Sequence, residues 1–492
     1  MKRFLSASLA AILLTSVLAS CSTGGSGTPE TSAPTGGASA DSTGTPETEA
    51  DYLGERNLDG FSFTVNARSD KTGNPTFAVK DLWVEGTSGE PINDAVYDRN
   101  ALMESKYNFK IVQIDSAADQ LAEIRQACSA GDAFEAAIVL GTSVARLAQE
   151  NCLLDLYSFP TVDFSRDWWD QNAVEAFTIK DKMFFTSGDM NIVAFDRTCV
   201  TTFSKSLIED NNLENPYDLV RAGKWTMDKM YEMAQTANRD ADGDGKLTAD
   251  SADVVGLYAY DMAPEYYLYG AGERISTTGD DGYPAITVYN DRSVQVMDKI
   301  FSILNTSNTS VVTGLWANMR TMFTENRAMF ANVSVSDAKG SFRQDCEKDF
   351  GFLPIAKFDE EQSRYYNLVA FADWTHLWSV PTTCSDKDTV GFLLEAFAYH
   401  SSDTVRHAYY DVTLSGKVVR DRDSNEMLNL IFDNRVYDIA TIYDWGSWDS
   451  YFRTSVIKLS SNNFSAFARK AGTAAAKTLQ DTIDAYAKVI EQ

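Results

Sequence analysis

From Asp51 onward, the apolar positions switch repeatedly between a two-residue period and a helical one. Phe61, Phe63 and Val65 alternate as in a half-buried strand. Asn93 is placed to cap a helix carrying Val96, Met103 and Tyr107. Phe109–Ile114 reads as a second strand and Gln120–Ala127 as a second helix. Ala136–Leu140 is a continuous apolar run stopped by Gly141, the pattern of a buried parallel strand. Strand, helix, strand, helix, strand predicts an open α/β sheet. In a second unit, Thr226 caps a helix with Met227, Met230, Tyr231 and Ala234. Further helices are expected near Ser293–Leu304 and Val390–His400. A last one sets Leu479, Ile483, Tyr486 and Ile490 on one face. No internal repeat is visible, and the whole reads as one α/β-rich, two-lobed body.

The first fifty residues do not fit this pattern. Lys2 and Arg3 precede an apolar or small-residue run from Phe4 to Leu18, closed by Leu18-Ala19-Ser20-Cys21. Residues 1–20 read as a secretory signal peptide, too short for a stable membrane span. The LASC ending resembles a bacterial lipobox, in which Cys21 is lipidated and becomes the mature N-terminus. The rest of 21–50 is Ser, Thr, Gly, Pro, Ala and acid, which cannot bury enough surface to fold. As a flexible coil it reaches roughly 30 Å, a tether holding a globular body off the membrane. No later apolar run approaches the length of a membrane span, so any pore must come from another protein.

Charge and composition narrow the classes. A net charge of −27 argues against non-specific nucleic-acid binding and against docking on anionic lipid through a basic face. Three histidines, and no HExxH or CxxC, argue against a zinc centre. The cysteines after Cys21 (Cys128, Cys152, Cys199, Cys346 and Cys384) have no framework spacing and are expected as buried free thiols.

Several segments, in order, resemble the extracellular solute-binding proteins of bacterial carbohydrate ABC importers, of the family 1 type. They are the lipobox and tether; Gly141-Thr142-Ser143 after the buried strand; Leu153-Leu154-Asp155-Leu156; and Asp167-Trp168-Trp169-Asp170. Then come Ile179–Phe185 with Ser187-Gly188-Asp189, Asn215–Val220 leading into Gly223-Lys224-Trp225-Thr226, Phe323–Ala331 and Asp349–Pro354. The resemblance implies a type II periplasmic-binding-protein-like clamp, each lobe a mixed sheet flanked by helices, with hinge strands between. Hinges fall near Gly188–Val193 and Phe350–Pro354, with another crossing after about Phe397. Lobe one is then 55–190 plus 350–397, and lobe two 191–349 plus 398–492. It also implies a monomer that captures a carbohydrate, most readily an oligosaccharide, and delivers it to membrane permease subunits.

Sugars present apolar C–H faces and a rim of hydroxyls, so aromatic rings beside acids or amides are the side chains to seek. Trp168 and Trp169 lie between Asp167 and Asp170, Trp374 follows Asp373, and Trp445 and Trp448 lie between Asp444 and Asp449. Trp83 stands in the long loop after the first strand. Tyr266 and Tyr267 match a lobe-two region of the family that faces sugar, and Asp189 sits at the hinge. These nine residues are the expected ligand contacts; Trp225 resembles a packing residue of the family. A surface glycoside hydrolase, or a carbohydrate-capture lipoprotein without a transporter, is the alternative. No GxSxG elbow, P-loop or GxGxxG fingerprint stands in a strand-to-helix context.

The sharpest local motif is Asp240-Ala241-Asp242-Gly243-Asp244-Gly245-Lys246. Oxygens at loop positions 1, 3 and 5, glycine at 6 and the Lys246 carbonyl at 7 suit Ca²⁺, a hard cation taking oxygen ligands. Position 12 is Ser251 where a bidentate glutamate is usual, so Asp250 or Asp253 is expected to complete the set, in a structural role.

Overall fold

The computed structural model describes residues 52–72, 78–131, 134–304, 311–370, 375–418, 421–459 and 461–490. The signal peptide, Cys21, the tether and Trp374 lie outside them. Leu53–Gln492 is one compact unit.

Two sheets organise this unit. The first is built from β1 (Phe61–Ala67), β2 (Phe109–Asp115), β3 (Ala136–Leu140) and β12 (His376–Ser379), in the order β12-β3-β1-β2. Between its strands run α1 (Pro91–Tyr107) and α2 (Gln120–Ala130), and α3 (Gly141–Gln149) follows β3. β1 pairs in parallel with β2 along its whole length and with β3 on its other side, while β12 is antiparallel to β3. The alternation at Phe63 and Val65 puts both in the core, as expected for a strand with helices against it. α1 starts two residues before the expected cap. Pro91, with its fixed φ and missing N–H, suits the first turn, and Glu90 stands at the cap position.

The second sheet contains β4 (Cys199–Ser204), β5 (Val255–Tyr260), β8 (Val311–Gly314), β9 (Ala328–Ser334) and β10 (Phe350–Leu353), in the order β10-β4-β9-β5-β8. β5 is parallel to β8 and β9; β4 is antiparallel to β9 and β10. Every residue of β9 is buried, as a central strand covered on both faces requires. The helix capped by Thr226 (Met227–Ala234) packs so closely on β5 that a Cβ at Gly256 would lie 1.8 Å from the Ala234 carbonyl oxygen. Only glycine fits there.

Phe350–Leu353, expected with lobe one, is an edge strand of the second sheet, and the chain crosses back between Leu353 and His376. Within that crossing, β11 (Asn367–Leu368) pairs in parallel with β13 (Arg435–Val436), and Val369 bridges Thr198, just ahead of β4. The C-terminal helix (Phe464–Ile490), expected with lobe two, serves both sides. Its Thr482 hydroxyl meets Gln149 of α3, and Tyr486 packs edge-on against Phe184. Its Phe464 packs on Tyr289, beyond β7 (Pro284–Ile286), which pairs with β6 (Ser276–Thr278). Of the cysteines, Cys199 is buried and the other four described ones are only partly so.

Candidate solute-binding cleft and acidic loop

Strand register decides which residues stand at which sheet edge. β1 and β3 end at Ala67 and Leu140, and antiparallel β12 begins opposite at His376, paired with Leu140. Arg68, Gly141 and Thr375 therefore share one edge. In the second sheet β5 and β8 end together at Tyr260 and Gly314, while β4 begins at Cys199 opposite the end of β9 at Ser334. Arg197, Asp261, Leu315 and Asp337 share that edge. A chain of hydrogen bonds joins the two edges: Gly141 N–H to Thr375 O, Thr375 Oγ1 to Ala370 O, and Ala370 N–H to Arg197 O. Open α/β sheets bind ligands beyond the carboxyl ends of their parallel strands, and here two such ends converge.

Hinge polar groups hold this junction. Asp81 accepts from the Ile192 amide (2.6 Å) and stands beside Arg99; burial raises its pKa to about 6 against those two opposing effects. Asp196 takes the Tyr409 hydroxyl and Lys339 (both 2.7 Å). His376 is almost fully buried, and neither ring nitrogen has a hydrogen-bond partner among the described residues. Burial, then Arg68 and Arg197, push it down to about 3, so the imidazole is neutral.

Among the described residues, each edge presents one tryptophan. Trp83 is 42 % exposed, in the loop leaving the carboxyl end of β1. Its backbone is anchored one residue earlier: buried Arg99 donates to the carbonyls of Asp81 and Leu82, and Asn100 also donates to Leu82. Trp316 opens the helix Trp316–Thr324 two residues past the end of β8. It is half-buried, and its indole N–H donates to Asp337 Oδ1 (3.0 Å). Asp337 is itself fixed by a capping box with Ser334, so the ring is set from below. Beside it Leu315 is 65 % exposed. Sequence reasoning named Trp83 as a candidate contact and did not name Trp316.

The other expected contacts go elsewhere. Trp168 and Trp169 both donate their indole N–H to the carboxylate of Glu395 (2.9 Å each) in the buried helix Lys387–Ser401. A carboxylate inside an apolar helix needs donors, and the tryptophan pair supplies them. Asp189 is 6 % exposed and faces Arg406 (3.3 Å); burial raises its pKa to about 6, partly opposed by that arginine. Tyr266 and Tyr267 are core residues, the Tyr267 hydroxyl bonding Asn332. Trp445 is stacked on Tyr443 and donates to Thr482, and Trp448 is stacked on Phe452. Gly446 at φ 71° lets this turn fold onto the C-terminal helix, where a Cβ would lie 2.7 Å from that of Ala475. The structure thus buries Trp169, Tyr266, Tyr267, Trp445 and Trp448 among core side chains, where they were expected at a ligand surface.

The acidic loop is formed as its spacing requires. Carboxylate oxygens of Asp240, Asp242 and Asp244 lie within 4.8 Å of one another, all exposed. Asp240 accepts from the amides of Gly243 and Gly245, Asp242 from Asp244, and Asp244 from Lys246. Asp253 plays a different part from the expected one. It is buried and accepts from the Ala241 and Thr248 amides (2.8 and 2.9 Å), stapling the loop. The Ser251 hydroxyl and those amides hold its carboxyl below the usual range. Asp250 is exposed and outside the three-carboxylate group. Three convergent hard oxygens are the donor type that a hard cation such as Ca²⁺ takes.

No protein-family model matches the chain, and no curated protein matches it in sequence. Solved structures do. The chain is similar to the galacto-N-biose/lacto-N-biose I-binding protein of an ABC transporter from Bifidobacterium longum, in complex with lacto-N-biose (TM-score 0.57, 13% identity, 86% of this chain and 98% of that one). It is similar to a cyclic α-maltosyl-1,6-maltose binding protein from Arthrobacter globiformis (TM-score 0.56, 13% identity, 86% and 100%). A third is an ABC substrate-binding protein from Listeria monocytogenes in complex with cycloalternan (TM-score 0.51, 15% identity, 87% and 100%). The chain has the two-lobed solute-binding-protein fold. Trp83 and Trp316 stand one at each of the two converging edges. Among the described residues no helix is long and apolar enough to cross a membrane.

Proposed function

We propose that this chain is the substrate-binding lipoprotein of an ABC importer, capturing a carbohydrate between its lobes and presenting it to membrane permease subunits. The observation that carries the reading is the pair Trp83 and Trp316, one tryptophan fixed on each carboxyl-end edge. Two indole faces set from opposite walls can cover both apolar faces of a sugar ring or of neighbouring rings. Support comes from the three similar proteins described above, whose bound or named ligands are carbohydrates. A ligand touching both walls stabilises the closed clamp by its differential affinity for it. Lipidation at Cys21, with 22–50 as the tether, holds the body outside the cytoplasmic membrane. Ca²⁺ on Asp240, Asp242 and Asp244 ties the loop ahead of β5 and has a structural role.

The test is a thermal-shift and calorimetric screen of the mature chain against mono- and oligosaccharides with calcium present. The reading expects saturable binding without product. Release of reducing sugar would establish the hydrolase instead, and binding of peptides alone would discard the substrate class.

A further inference from the structure

A cavity of about 340 Å³ lies beside the β11–β13 pair, and none of the edge residues described above lines it. Its walls are the helix Gln171–Phe177, the segment from Arg274 through β6, and Arg364–Tyr366 with β13. Three arginines line it. Arg274 donates to the carbonyls of Tyr269 and Glu273, and Arg364 donates to Asn434 Oδ1 (3.0 and 2.9 Å). Neither has a carboxylate at salt-bridge distance among the described residues. The Tyr366 ring lies between them, 4.7 Å from Arg274 and 5.7 Å from Arg364.

Arg435 is the third. Its side chain is 9 % exposed and packs over Phe195 at 4.1 Å. One terminal nitrogen meets Asp170 at 2.9 Å, while Nε and Nη1 have no acceptor among the described residues. Leaving two buried N–H groups of a cation unmet is costly, which favours an added acceptor beside this cavity-lining residue, although Asp189 and Tyr409, outside the cavity, also act on its charge. The acids nearby do not supply one. Asp438 is saturated by the Tyr269 and Ser276 hydroxyls and the amides of Ile275, Ser276 and Ala440. Asp170 also takes the Tyr437 hydroxyl, and Glu175 is exposed at the rim.

We propose that this cavity is a second ligand site, separate from the cleft, that takes a small hydroxylated organic anion. Its carboxylate meets the forked guanidinium donors, which match it geometrically. Its hydroxyls meet Asn172 and the Thr277 and Thr278 side chains, and Tyr366 and Val436 cover its carbon face. Glu175 at the rim selects against a second negative charge. The volume exceeds what an inorganic ion needs and suits a chain or ring of about six carbons.

The test compares gluconate with sorbitol, its uncharged counterpart, at constant ionic strength, by thermal shift and calorimetry on the mature chain. Saturable binding of gluconate but not sorbitol is expected, weakened at least tenfold by Arg364→Gln. Arg364 is exposed, so the variant keeps its fold, which its unliganded melting curve checks. Trp83→Ala should leave gluconate binding unchanged. Equal effects of gluconate and sorbitol, or gluconate binding that survives Arg364→Gln, would overturn the site. Gluconate binding lost in Trp83→Ala would assign the anion to the cleft and overturn it equally, while oligosaccharide binding judges the cleft on its own.

Discussion

Two kinds of tryptophan share this molecule. Those in the dense clusters, Trp168-Trp169 and Trp445–Trp448, look chemically richest in the sequence, flanked by acids and glycine. Yet Trp169, Trp445 and Trp448 are buried, and indole N–H groups of these clusters serve Glu395 and Thr482. The lone ones, Trp83 and Trp316, have no second tryptophan beside them, and they follow the carboxyl ends of parallel strands. Aromatic density marks where large side chains pack together; position after a strand's carboxyl end is what sets Trp83 and Trp316 apart, and the proposed cleft rests on it.

The largest expected effect breaks the core class. Trp169→Ala removes a buried indole and one donor from Glu395, and should cost about 3–5 kcal/mol in denaturant unfolding. Sugar affinity of the remaining folded protein should be nearly unchanged; a stable variant without sugar affinity would move Trp169 into the cleft class.

Next comes the hinge. His376 has a folded pKa of about 3 against an ordinary 6.5. Its folded value is depressed, so the unfolded chain binds the extra proton and stability falls as pH drops below 6.5. At pH 5 the loss relative to neutral pH is about 2 kcal/mol from this group alone. His376→Gln should flatten that part of the stability–pH curve; an unchanged slope would show that His376 does not govern it.

Smaller still, Trp83→Ala and Trp316→Ala should each weaken sugar binding about tenfold, roughly 1.4 kcal/mol, with little change in melting temperature. The smallest effect separates cleft from loop. Chelation should lower the melting temperature by a few degrees, in keeping with about 1 kcal/mol, and leave sugar affinity at low temperature almost unaltered. Affinity that collapsed without unfolding would make the metal part of the ligand site.

Much of the fold was legible because its elements are strongly periodic. β1, β2, β3, α2 and the helix at Met227 stand within a few residues of their expected places. The boundary at Phe350 was not, since pairing with β4 depends on a partner far away in sequence. Trp316 escaped because β8 is four residues long and sits beside a Ser/Thr/Asn run, so no alternation announces it. The Glu395 clamp did leave a trace: one carboxylate inside Val390–Tyr399, otherwise apolar or small, requires buried donors. Asp253 was read as a metal ligand because spacing alone does not distinguish a carboxylate that binds an ion from one that binds its own loop.

The most direct test of the account is calorimetric titration of an oligosaccharide panel into the mature chain and the double variant Trp83→Ala, Trp316→Ala. A cleft carried by these two indoles should show one sugar family bound saturably by the parent, and binding reduced at least a hundredfold in a double variant that melts within a few degrees of it. Undiminished binding in the double variant, or no sugar bound by the parent at all, would contradict it.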